Sequence, residues 1–289
     1  MMPARDAVLL VALCAAWGFA QVTMKWGGEG ISPLVQAGLR SALAIPFILL
    51  WCRLRGVTVF RRDGTLPAGL LAGLLFSAEF WAIFRALELT SAARVVVLLY
   101  TAPFFAVIGA HFLVPGDRLT RRKLAGIVIA FASVPVLFAD RLGAPGDGAL
   151  MGDLIGLASG LFWAGTMVTI KASGLTRIAS ERTLLYQLAV SSLLIPLGYA
   201  IGERGVFDPT ARVLGSLAFQ VLGVAVVSYL AWFWLVRRHA ASAFAPFLFL
   251  TPAFGVGCGW LLLGEAVTPA LLASLLLVGA GIWVINRGE

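Results

Sequence analysis

Charge is what this chain has least of. Of its 289 residues only 12% are Asp, Glu, Lys or Arg, about half the share of roughly 25% in an ordinary soluble domain. With 60% of the residues hydrophobic, too little polar surface remains to face water, and most of the chain must be solvated by lipid. Acidic residues number 14 against 22 Lys and Arg, a net charge of +8. That excess does not describe a nucleic-acid face, because the basic residues stand in short clusters between apolar runs. Histidine occurs only at His111 and His239, and cysteine only at Cys14, Cys52 and Cys258. Their separation offers neither metal-ligand spacing nor a disulfide framework, so no metal and no cofactor is expected. There is no Walker sequence to hold a nucleotide triphosphate. Paired deep aspartates or a Ser/His set, which an intramembrane enzyme needs, are missing. So are the charge rings or repeated filter sequence of a channel.

What is present is ten long apolar runs, at 6–25, 33–53, 67–88, 92–114, 121–139, 151–173, 181–202, 212–236, 240–262 and 268–286. A helix needs about 20 such residues to cross a bilayer. None of the runs shows the alternation of a membrane β-strand. The first has no small-x-small site before polar sequence, so it reads as a permanent span rather than a removed leader. The connections are short; R61-R-D-G and A144-P-G-D-G are turn sequences.

The Lys and Arg residues set the orientation. With the N-terminus inside, the inner loops, tails and helix ends hold fifteen: Arg5, Arg53, Arg55, Arg61, Arg62, Arg118, Arg121, Arg122, Lys123, Lys171, Arg177, Arg182, Arg237, Arg238 and Arg287. The outer side holds six: Lys25, Arg85, Arg94, Arg141, Arg204 and Arg212. This bias places both termini in the cytoplasm. Arg40 alone is left within a run.

The chain repeats itself. W17-G-F-A-Q-V-T-M-K25 and W163-A-G-T-M-V-T-I-K171 share Trp, Val, Thr and Lys. Pro46 answers Pro196, T101-A-P103 answers T251-P252, and G116-D-R-L-T120 answers G264-E-A-V-T268. Five runs per repeat is an odd number, so the second repeat enters the membrane from the opposite side. The expected fold is an all-α integral membrane protein, ten transmembrane helices in two inverted-topology five-helix repeats, 1–143 and 144–289. Secondary transporters use that arrangement to alternate access around a midplane site.

In W17-G, Lys25, S32-P33, Arg40 and Pro46, and then Pro252, G264-E265, Thr268 and G279-A-G281, the whole chain resembles the EamA-type ten-helix exporters of the drug/metabolite transporter superfamily. It departs from them at Pro115-Gly116-Asp117, where the family commonly has Gly-Glu, and at Val190, where the second repeat has no arginine to match Arg40. The resemblance implies a carrier in the cytoplasmic (inner) membrane, most similar to bacterial exporters of aromatic and other neutral amino acids. Nucleotide-sugar carriers and carriers of drug-like cations are the alternatives; the former should carry several mid-membrane cations, and only Arg40 is so placed. The partners implied are a small-molecule substrate and the lipid bilayer, with no nucleic acid and nothing that calls for more than a monomer.

The residues suited to a binding site lie near mid-span. Trp17 and Trp163 occupy equivalent repeat positions, and Trp81 and Tyr100 are at similar depth. An indole N–H there needs a partner. Gln21, Gln36, Thr101 and Gln187 offer polar groups for an amino-acid backbone. Glu79 is the only acidic residue at mid-helix; a carboxylate there costs about 2.5–3.5 kcal/mol on insertion scales, so it must face the bundle and be paired, hydrated or protonated. Arg40, about 10 Å inside its helix end, must face protein, as a structural ion pair or as a carboxylate contact, and is read as structural or gating. Pro103 and Pro252 are read as matched mid-helix kinks. Arg85, Glu88 and Arg94 are read as one cluster stapling the short outer turn. G69-L-L-A-G73 and G156-L-A-S-G160 have the small-xxx-small spacing of close helix contacts.

Overall fold

The computed structural model describes residues 3–142, 148–239, 244, 247 and 249–286. Ten apolar helices account for nearly all of them. Eight are long enough to cross a membrane: α1 (Ala4–Gly28), α2 (Pro33–Leu54), α3 (Leu66–Leu89), α4 (Ala92–Leu113), α5 (Arg121–Ala139), α6 (Ala149–Ala172), α7 (Ser180–Ala200) and α8 (Ala211–Val236). Two shorter helices follow, α9 (Leu250–Leu263) and α10 (Pro269–Asn286). The expected start of the ninth run, 240–248, lies mostly outside the described residues, as do the boundary at 143 and 144 and the charge at Arg287. Among the described residues there is no strand. A single bridge between Ile31 and Val206 ties the α1–α2 turn to the α7–α8 connection, reinforced by Ser32 N–H to the Gly205 carbonyl at 2.9 Å.

The helices pair across the two halves rather than within them. The most extensive contacts are α3 with α6, α1 with α9, α5 with α10, α4 with α6, α3 with α7 and α2 with α7. Advancing each helix by five positions reproduces the pattern: α1–α9 becomes α6–α4, α3–α6 becomes α8–α1, α3–α7 becomes α8–α2, and α2–α7 and α5–α10 map onto themselves. That is the contact map of two inverted five-helix repeats. The correspondence reaches single residues: burial along 41–50 in α2 is repeated position for position along 191–200 in α7.

Small residues make the close approaches. A Cβ on Gly73 would meet the Val190 side chain at 2.6 Å, and one on Gly69 would meet the Tyr186 ring at 2.5 Å, so this pair seats α3 against α7. Gly160 lies against Leu98 and Thr101 of α4, where an added Cβ would fall 2.9 Å from the Thr101 hydroxyl. Both motifs read from the sequence are therefore packing surfaces between halves.

Several helices are irregular. α4 breaks at Tyr100 and Thr101, and α7 breaks at Leu193. Pro103 is consequently not a mid-helix kink, as expected, but stands in the first turn of the segment Ala102–Leu113. An N–H there has no intrahelical acceptor, so proline costs no hydrogen bond. Pro252 likewise falls in the first turn of α9. Pro46 sits within an unbroken α2. α8 contains ten residues of wide π-helix, Phe219–Ser228, which nothing in its composition foretold.

Candidate functional site

A cavity of about 860 Å³ lies between the two halves. Its deep end is walled by Trp17, Gln21, Glu79, Phe80, Tyr100, Trp163, Tyr229, Trp232 and Thr251, and it runs along α4 and α6 to Asp117, Lys123 and Lys171. Helix periodicity sets which residues point inward. Glu79, Phe80 and Ile83 share one face of α3 and all line the cavity. Trp81 is about 200° from Glu79 around a helix of 100° per residue. It cannot share that face, and it is 38% exposed on the outer surface. Trp81 thus departs from the expected pocket.

The aromatic walls are held by edge contacts. Tyr100 meets Trp163 edge-on at 5.5 Å, and Trp17 meets Trp232 at 5.6 Å. The Trp17 indole N–H donates to the Ser228 hydroxyl at 2.8 Å, which donates to the Val224 carbonyl at 2.6 Å. The π-helical stretch of α8 therefore supplies the partner that the sequence reading required without naming.

Polar groups in the deep end are less well satisfied. Gln21 Oε1 and Glu79 Oε2 are buried with no hydrogen-bond partner among the described residues, and both residues line the cavity; the Thr251 hydroxyl, also in the lining, lies beside the Tyr100 hydroxyl and the Cys14 thiol. Buried polar atoms are usually paired, so two orphans around one cavity point to a polar guest or ordered water. The other expected polar residues lie outside the lining. Gln36 donates to the Met24 carbonyl at 3.1 Å, and Gln220 donates to the Thr23 carbonyl at 3.0 Å; these amides hold the end of α1. Thr101 donates to Leu98 O at 2.6 Å and serves the break in α4. Gln187 is buried in α7, away from the cavity.

Two ion-pair networks join the halves at opposite ends, and they involve corresponding residues. At one end Lys25 reaches Glu265 at 3.1 Å and the Thr90 carbonyl at 3.2 Å. Glu265 also accepts the N–H groups of Ala92 and Ala93, at 2.7 and 2.9 Å, at the start of α4. A carboxylate at a helix N-terminus meets the positive end of the helix dipole. At the other end Lys171, the repeat partner of Lys25, reaches Asp117, the counterpart of Glu265, at 2.5 Å. Lys123 takes the second Asp117 oxygen at 2.9 Å. The cavity extends to this second network and stops short of the first.

Arg94 does not join the expected cluster with Arg85 and Glu88. Those two pair with each other along one helix, whereas Arg94 makes a buried two-point contact with Asp153, Nε to Oδ1 at 3.0 Å and Nη2 to Oδ2 at 2.5 Å. The same guanidinium donates to the Leu137 carbonyl at 2.6 Å. The sequence hid this pair because Asp153 lies near the start of its apolar run and resembles loop polarity.

A two-repeat bundle of membrane helices enclosing a cavity at the seam is the architecture of a membrane carrier. The chain belongs to the EamA-like transporter family, whose model matches residues 5–139 and again 150–287. It is 27% identical to a probable amino-acid metabolite efflux pump of Escherichia coli strain K12, over 98% of this chain and 95% of that protein. It is equally 27% identical to an S-adenosylmethionine/S-adenosylhomocysteine transporter of Chlamydia trachomatis serovar L2, over 98% of this chain and 90% of the other. A solved crystal structure at 20% identity shares the fold with a TM-score of 0.68, covering 98% of this chain and 97% of its own.

Proposed function

We propose that this protein exports neutral amino acids, aromatic ones foremost, across the cytoplasmic membrane as a secondary carrier working by alternating access. The observation that carries this reading is the deep end of the cavity, where two unpartnered polar atoms, Gln21 Oε1 and Glu79 Oε2, stand inside an aromatic wall. Such a site holds a small polar head by hydrogen bonds and an apolar side chain by contact with Trp17, Tyr100 and Trp163. Glu79 takes the ammonium group. The names of the two relatives, an amino-acid metabolite efflux pump and an S-adenosylmethionine/S-adenosylhomocysteine transporter, are in keeping with a substrate derived from an amino acid.

On the positive-inside bias the Lys171–Asp117 end is cytoplasmic. The structure then corresponds to a carrier sealed outside by Lys25 and Glu265, with its cavity running toward the inner network. The repeats 1–143 and 144–289 rock against each other, and the roles of the two networks exchange. Pro103, in the first turn beyond the break in α4, and Pro252, in the first turn of α9, are the pivots.

Counterflow into proteoliposomes tests the substrate class, with a panel of aromatic, aliphatic and charged amino acids, S-adenosylmethionine, nucleotide sugars and cationic drugs. Phenylalanine, tryptophan and leucine are expected to exchange; exclusive exchange of nucleotide sugars or cations refutes the reading. Glu79→Gln keeps shape and hydrogen bonding while removing the charge. It is expected to weaken exchange of zwitterions about tenfold, the worth of one charged hydrogen bond, with the protein still inserted.

A further inference from the structure

Arg40 is fully buried in α2; among the described residues Nε, Nη1 and Nη2 make no well-aligned hydrogen bond, and the polar group beside them is the Tyr229 hydroxyl. A buried guanidinium left this way is costly, and native structures keep such a group only for a reason. Symmetry does not supply one, since the corresponding residue is Val190, packed on Gly73. Nor is Arg40 remote from the cavity. Its guanidinium carbon sits 3.8 Å from the centroid of the Phe80 ring, with Phe76 behind at 5.9 Å. Phe80 lines the cavity, beside Glu79 in sequence, and so does Tyr229; the Tyr229 hydroxyl lies close enough to hydrogen-bond with Arg40, and Glu79 is within electrostatic reach of it. One aromatic ring therefore separates a cation with no carboxylate bound to it from a cavity whose wall carries an unpaired carboxyl oxygen.

We propose that Arg40 is the receptor for the substrate's carboxylate, with Phe80 as the shutter over it. Turning the Phe80 ring aside exposes the planar fork of the guanidinium, which matches a carboxylate at two points. Glu79 takes the ammonium group of the same molecule. The pair is thus the complement of a zwitterion: a fixed cation and a fixed anion, neither held in a salt bridge among the described residues until the substrate supplies both partners. With Phe80 closed, the ring face holds the bare cation. This inference rests on the amino-acid reading above and deepens it, because it makes the carboxylate a requirement rather than a tolerated group.

The test is counterflow of labelled phenylalanine in proteoliposomes, competed by phenylalanine, phenylalaninamide, phenethylamine and 3-phenylpropionate. The wild-type protein gives a readout that needs no variant: the amide and the amine, which lack the carboxylate, are expected to compete at least tenfold less well than phenylalanine. Arg40→Gln is expected to lower phenylalanine exchange at least tenfold and to bring the phenylalanine-to-phenethylamine ratio toward one. Arg40→Lys, which keeps the charge without the fork, falls between. Glu79→Gln is expected to shift preference the other way, toward 3-phenylpropionate. If phenethylamine competes as well as phenylalanine in the wild type, the Arg40 assignment is overturned while the amino-acid carrier stands. If Arg40→Gln lowers exchange of every analogue in equal proportion, Arg40 is a structural partner of Glu79 and the proposal fails. A wild-type protein that exchanges no amino acid at all sinks both readings together.

Discussion

The aromatic residues at the cavity divide their work between contact and support. Trp163 meets Tyr100 edge-on and lines the cavity without a side-chain hydrogen bond among the described residues, so its truncation should be felt by the substrate. Trp163→Ala is expected to raise the half-saturating concentration for tryptophan and phenylalanine about tenfold, ~1.4 kcal/mol of lost aromatic contact, and to leave alanine exchange nearly unchanged. Trp17 is different, since its N–H anchors Ser228. Trp17→Phe keeps the ring and removes the bond, which should cost about 1 kcal/mol of stability in detergent with little change in selectivity. A tryptophan fluorescence melt beside the exchange assay separates the two. At this scale the sequence was only partly readable. Trp17, Gln21, Glu79, Tyr100 and Trp163 line the cavity, whereas Trp81, Gln36, Thr101 and Gln187 do not. Trp81 was open to correction from helix periodicity alone. Gln36 was not, because its role depends on the carbonyls of a different helix. Tyr229, Trp232 and Thr251 had no distinguishing signal beyond depth and a neighbouring proline.

Among elements, the apolar runs announced the helices within a few residues wherever their ends are described, which leaves out the start of the ninth, because the length a bilayer demands is written directly in composition. The breaks were less visible. Pro103 pointed to α4, but the interruption lies just before it, at Tyr100 and Thr101. The π-helical part of α8 contains no proline at all; a wide turn is set by what packs around it. Contacts between elements are easier to test. Gly73→Val forces a side chain into Val190 and the Tyr186 carbonyl, the latter 2.8 Å from where its Cβ would stand. Overpacking of this kind costs about 1–3 kcal/mol, and a lowered melting temperature in detergent is expected. Gly257→Ala in α9 is the control, since nothing lies within 4 Å of the added carbon; its melting temperature should hold or rise slightly.

For the whole molecule, the two inter-repeat networks differ in strength. Lys171 is 57% exposed, so its pair with Asp117 is screened by water and contributes little, about 0–1 kcal/mol. Glu265 is 9% exposed and carries two backbone caps as well, so removing its charge unseals that end. Glu265→Gln is expected to speed thiol labelling of Ala93→Cys about tenfold, as loss of a buried partner should, while Asp117→Asn leaves the rate unchanged. The pH response follows from the sign of one shift. Lys171, and then Lys123, hold the Asp117 carboxyl below the usual carboxylate range. A lowered value means the network is intact above the ordinary carboxylate pKa of about 3.9 and is lost only as pH falls below it. Exchange measured from pH 5.5 to 8 should therefore show no step from Asp117, and the Asp117→Asn variant should run parallel to the wild type.

The pairing of helices across the halves has a consequence for biosynthesis. α1 finds its main neighbour in α9, α2 in α7, α3 in α6 and α5 in α10. When the ribosome has released only the first five helices, Arg40 already has Phe76 and Phe80 of α3 against it, but the larger contacts from α6 to α10 are still missing. The core therefore closes fully only once the second half has been made. Two separately translated pieces, 1–143 and 144–289, should therefore each be degraded when made alone and accumulate when made together, restoring counterflow from a split gene.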